Sequence, residues 1–137
     1  MTRTNAPAWR MHARQALGAA IDEDVTTALT HLGEMLRLGP DTVVAEASML
    51  WIDELFAVVA PPPPPCYVPD NPPAYLRLSE EDLWAMRLMA ARVNGDGRAA
   101  QALFAEAGRD WDSASERLGH LLALVAMKLK APLASQV

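Results

Sequence analysis

Two short runs, Pro64-Pro65-Cys66-Tyr67 and Pro72-Pro73-Ala74-Tyr75, each set a tyrosine one residue beyond a proline pair. They are the strongest recognition signal in the chain, because proline pairs favour a preformed polyproline II helix that aromatic grooves accept. Other residues with chemical potential are scattered. His31 and Glu34 lie three apart on a predicted helix and can share a face. One such pair is too few ligands for a metal site, and His12 and His120 have no ligand-like spacing around them. Cys66 is alone, so no internal disulfide is available, and proline-rich coil offers nothing to lower its thiol pKa. Gly95-Asp96-Gly97 fits a loose dinucleotide fingerprint, but that turn needs a preceding strand, and here a helix precedes it. The calcium-loop pattern fails because Arg92 and Leu103 would stand where carboxylates are required. No Walker loop, nucleophile elbow or Cys-x-x-Cys pair occurs. Neither catalysis, a metal nor a cofactor is expected, and enzymatic activity is the less favoured reading.

The two Pro-Pro-x-Tyr runs resemble the ligand of WW domains, a resemblance confined to those four-residue motifs. The favoured alternative is structural. The segment must join two helices, and its aromatics need cover, so it is expected to lie as a strap with Tyr67, Val68 and Tyr75 buried as pegs.

The 137-residue chain is long enough to bury a core without disulfides or metal. Apolar residues make up 51% and charged residues 21%, which argues against disorder. The net charge of −5, with no cluster of basic residues, argues against nucleic acid. Lys128 and Lys130 sit where the end of a helix dipole favours cations. Ten Arg to two Lys, with abundant alanine, suggest a bacterial coding habit. The residues before Trp9 do not form a signal-like apolar run, and Leu118 to Met127 is too short to cross a bilayer. A cytoplasmic protein without membrane contact is expected.

Positioning these residues falls to helices. Ile occurs only at 21 and 52, while Ala and Leu dominate, which favours helix over sheet. Helix 1 is expected from Pro7, capped by Asn5 or Ala6, to Ile21. Helix 2 follows the Asp22-Glu23-Asp24 turn and ends before Gly39-Pro40. Helix 3 covers roughly 41–59 and is apolar on most of its circumference. Eight prolines within 61–73 exclude helix or central strand there. Ser79 and Asp82 approximate a capping box for helix 4, Asp96 suits the cap of helix 5, and Asp110, Asp112 or Ser113 opens helix 6. Helix 6 is apolar all round over 121–127 and is expected to close at Pro132.

The pattern predicts an all-α fold: a six-helix bundle in one domain spanning 1–137. Its halves, 6–60 and 79–131, flank a proline-rich linker over 61–78. An offset of 72 residues aligns Asp24 with Asp96, Glu34 with Glu106 and Arg37 with Arg109, so a pseudo-repeat is one reading. Helices 3 and 6 are too apolar to face water and are expected to pack together. Trp51 is expected in the core, and the other three tryptophans at bundle ends.

The functional expectation is a small non-catalytic module that binds a protein partner or self-associates as a homodimer. The alternatives are a small-molecule binder with an interhelical pocket, or an enzyme with a dispersed site. The candidate interaction surface comprises Tyr67, Tyr75, Trp84, Trp111, Leu121, Leu124 and Leu129. Helix 6 is expected to leave part of its apolar girth exposed, continued by Leu133 toward the C-terminus.

Overall fold

Short polar residues decide where four of the helices begin. The computed structural model describes residues 8–134, without the side chains at 41 and 132–134. It contains six α-helices and no strand among the described residues: α1 Ala8–Ile21, α2 Val25–Leu36, α3 Pro40–Val58, α4 Glu80–Asn94, α5 Gly97–Ala107 and α6 Trp111–Ala134. The expected cap of the first helix, at Asn5 to Pro7, lies outside the described residues.

Asp24 accepts from the Thr27 amide at 3.2 Å and caps α2, while Asp96 does the same for α5 through Ala99 at 3.0 Å. Ser79 and Asp82 form a reciprocal capping box: the Asp82 amide donates to Ser79 Oγ at 3.0 Å, and the Ser79 amide donates to Asp82 Oδ2 at 3.1 Å. Asp110 opens α6 by accepting from the Ser113 amide at 2.7 Å. Gly39 turns the chain at φ 120°, a conformation that favours glycine, and Pro40 occupies the first turn of α3, where its missing N–H costs nothing. Contrary to the sequence expectation, Pro132 does not close α6, which continues to Ala134. So near the helix end, the lost N–H removes a single backbone bond.

α6 packs against each of the other five helices, and α3 packs against α1, α2, α5 and α6. Their contact buries Val44, Ala47 and Ile52 of α3 and Leu118, Leu121 and Val125 of α6. Two tryptophans tie neighbouring helices to this core. Trp51 is fully buried and donates its indole N–H to the Ala13 carbonyl of α1 at 2.9 Å. Trp84 on α4 donates to the Leu103 carbonyl of α5 at the same distance. Each ring removes much apolar area from water while satisfying its one polar atom. Between α3 and α4 the chain is irregular apart from a single 3₁₀ turn, Ala74–Leu76.

Candidate functional site

Most of the expected interaction surface is redistributed. Leu121 and Leu129 are core residues, at 0% and 3% exposure, and Leu124 is half-buried. They are covered because α6 is surrounded by five helices rather than one, which corrects the expectation that this stripe stays open. Trp84 is likewise buried at 2% exposure, anchored by its bond to Leu103. Trp111, by contrast, is 43% exposed. Leu133 lies outside the described side chains.

The proline-rich segment also departs from expectation. Tyr67 and Tyr75 are about four-fifths exposed, at 81% and 80%, so they are not pegs. Val68 alone is half-buried. The segment is held through its backbone instead: the Cys66 amide donates to Asn94 Oδ1 at 2.7 Å, and the Asn94 amide donates to the Cys66 carbonyl at 2.8 Å. Arg87 adds a long contact to the Asp70 carbonyl at 3.4 Å. Because polar groups of the backbone do the anchoring, the tyrosine rings are left pointing to water.

One exposed apolar surface lies between α2 and α6. Val25, Leu29 and Met127 are each more than half exposed. They flank a groove of about 380 Å³ floored by Ala28, Gly119, Ala123 and Ala126. Small residues at 119, 123 and 126 recur at helical spacing, which keeps the floor low. At one edge Lys130 Nζ and Glu23 Oε1 meet at 2.7 Å. That contact, first as a hydrogen bond and then as opposite charge, holds the Glu23 carboxyl below its usual range. Val25 and Leu29 recur at helical spacing with Leu32, Met35 and Leu36, but this apolar stripe of α2 is wider than its cover. The signal was present in the alanine and glycine positions facing it on α6. A larger trough of about 580 Å³, partly lined by Trp9, Met49, Leu50 and Phe104, is broad and open.

A second feature was not visible as a motif. α1 and α2 pack side by side, and this brings His12 and His31 together with Nδ1 to Nδ1 at 3.0 Å and ring centroids at 5.2 Å. Both are half-buried. The pairing follows from α1 and α2 folding back on one another at the 22–24 turn, which no motif announces. His31 was instead weighed with Glu34. Among the described residues no group of three His, Cys, Asp or Glu could hold a metal.

The remaining polar constellations are structural in character. Arg117 is 7% exposed and pairs through Nη2 with Glu106 Oε1 at 2.9 Å, while its Nε and the buried Ser48 hydroxyl have no partner. His120 Nδ1 lies 2.9 Å from Asp82 Oδ1 on the open surface, outside the grooves described above. The hydrogen bond with His120 is the main cause that holds the Asp82 carboxyl below its usual range, with the Ser79 bonds adding to it and partial burial opposing. Among the described residues, none of these constellations joins a nucleophile, a base and a binding cavity.

No family of known proteins matches the chain, and neither does any curated protein or solved structure. No helix among the described residues is long and apolar enough to cross a membrane.

Proposed function

We propose that the chain is a non-catalytic helical protein–protein interaction module that self-associates through the α2–α6 groove. The observation carrying this reading is the exposure of Val25, Leu29 and Met127 along a floor of alanine and glycine. The surface holds both ridges and a hollow, which is what an isologous two-fold contact requires, since the same patch must serve both sides. Its charge also suits a second copy. The chain as a whole carries −5, but the groove's charged groups, Glu23 and Lys130, neutralise one another at its edge. Two copies therefore meet there without like charges facing. A stable contact of this kind buries on the order of 1,200 Å² or more in total.

In this reading the chain is one bundle. The halves 6–60 and 79–131 share the α3–α6 core, and the proline-rich linker over 61–78 holds them on one chain. It works in the cytoplasm, where a lone cysteine stays reduced, and it neither binds nucleic acid nor enters a membrane. Tyr67 and Tyr75 then form a separate exposed surface outside the dimer contact.

Sedimentation velocity over a micromolar concentration series tests this. The expected result is a species of twice the 14.9 kDa chain mass, shifting to monomer in Leu29→Glu and Met127→Glu. A monomer at every concentration would overturn self-association.

A further inference from the structure

We propose that His12 and His31 form a two-imidazole chelate for a divalent transition metal of tetragonal preference, Cu(II) above all. The site is independent of the α2–α6 groove. The two Nδ1 atoms already stand at a distance that one ion can bridge. At a metal–nitrogen distance of about 2.0–2.1 Å, two ligands at a right angle stand about 2.8–3.0 Å apart, and two at the tetrahedral angle about 3.3–3.4 Å. The observed separation of 3.0 Å is the length of the hydrogen bond the rings share, and a single ion can bridge two nitrogens at that distance. Square-planar and tetragonal sites built from nitrogen and oxygen are those of Cu(II) and Ni(II), and Cu(II) binds more tightly in the divalent series.

Rigid elements hold the pair. His12 lies in α1 between Met11 and the fully buried Ala13, and His31 lies in α2 beside the buried Leu32. The two helices pack along their length, so the ring separation is set by the helix contact rather than by a loop. The two nitrogens are thus close before the ion arrives, and binding needs only the rings to turn so that both lone pairs face it.

The proton balance is simple. At 3.0 Å one Nδ1 carries the hydrogen and the other accepts it, so a pair of neutral rings would be in opposite tautomers. Binding needs the lone pair of both Nδ1 atoms. The donor ring moves its proton from Nδ1 to Nε2 by exchange with water, and no net proton is released from the pair. Two metal–nitrogen bonds form and two bound waters leave the ion. Among the described residues no third His, Cys, Asp or Glu joins the pair, so water fills the remaining positions. The site is consequently open and exchangeable rather than structural.

The test uses the full chain titrated with CuCl₂ in a non-coordinating buffer at neutral pH, followed by electron paramagnetic resonance and by displacement of a competing chelator dye. One equivalent should bind with hyperfine structure from two nitrogens. His12→Gln and His31→Gln, each checked for unchanged helicity, should each weaken binding on the order of a hundredfold, because the second ligand of a linked pair is lost. His120→Gln should leave binding unchanged, and so should the groove variant Met127→Glu, whatever its oligomeric state. Binding that survives both His12→Gln and His31→Gln, or that falls equally in His120→Gln, would overturn the proposal, as would no binding at all.

Discussion

The turns that open α2 and α5 stand 72 residues apart and trace the same path. Asp24 and Asp96 have φ and ψ of −89° and 79° against −90° and 84°. Their amides reach back five residues, to Ala19 at 2.8 Å and to Ala91 at 2.9 Å. The residue before each is left-handed, with φ 63° and 67°. At the second turn that residue is Gly95, which adopts the conformation freely, while at the first it is Glu23. The difference teaches what offsets strain. Glu23 carries a Cβ in an unfavourable region, yet its side chain reaches Lys130 at 2.7 Å, a contact glycine cannot make. A similar divergence follows the turns. Glu34 pairs with its own helix neighbour Arg37 at 3.6 Å on the surface, whereas Glu106 reaches the buried Arg117 at 2.9 Å. Equal backbones thus carry unequal side-chain duties.

The largest effect expected from breaking this comparison is in the core. Trp51→Ala removes a fully buried ring and its bond to Ala13, and should cost about 3–5 kcal/mol in urea unfolding. A loss below ~1 kcal/mol would mean the α1–α3 contact is dispensable. Next come the aligned glutamates. Glu106→Ala leaves the buried Arg117 without its ion partner and should cost about 1–3 kcal/mol. Glu34→Ala, at an exposed pair, should change stability by less than about 0.5 kcal/mol. Equal losses at the two would erase the distinction drawn between the halves.

The turns themselves give smaller effects of opposite sign. Gly95→Ala places a Cβ at φ 67° with no atom within 4 Å to clash, so its cost of about 1–2 kcal/mol is purely dihedral. Glu23→Gly relieves the corresponding strain and loses the Lys130 contact, leaving a smaller change in the stabilising direction. The smallest expected effect is in pH dependence. The Asp82 carboxyl is held below its ordinary 3.8, mainly by the hydrogen bond with His120, so the unfolded chain binds the proton more readily. Its contribution is present above pH 3.8 and is lost as pH falls through the lower folded value. Asp82→Asn should therefore lower the urea midpoint at pH 6 and leave a smaller gap from wild type at pH 3. A gap that widens on acidification would contradict the sign.

Local chemistry carried most of what could be read from the chain. The capping residues Asp24, Ser79 with Asp82, Asp96 and Asp110 act through neighbours three residues away, and so they mark helix starts directly. Burial was harder to read, because it depends on how many partners a helix has. The apolar girth of α6 was legible, but five neighbours cover Leu121 and Leu129 and leave Met127 open. Tyr67 and Tyr75 looked in need of cover, and the Asn94 clasp on Cys66 made that cover unnecessary to hold the segment. The His12–His31 pair required knowing that α1 and α2 lie side by side, which no local pattern states.

Self-association through the α2–α6 groove would place the same residues of two chains against one another. Nuclear Overhauser spectra of a mixture of isotopically labelled and unlabelled chains read that contact directly, because only cross-peaks between different chains survive the filter. The expected result is intermolecular signal from the Met127 methyl to the methyls of Ala123 and Ala126, fading on dilution into the monomer range. Intermolecular cross-peaks arising only elsewhere, or none at millimolar concentration, would contradict it.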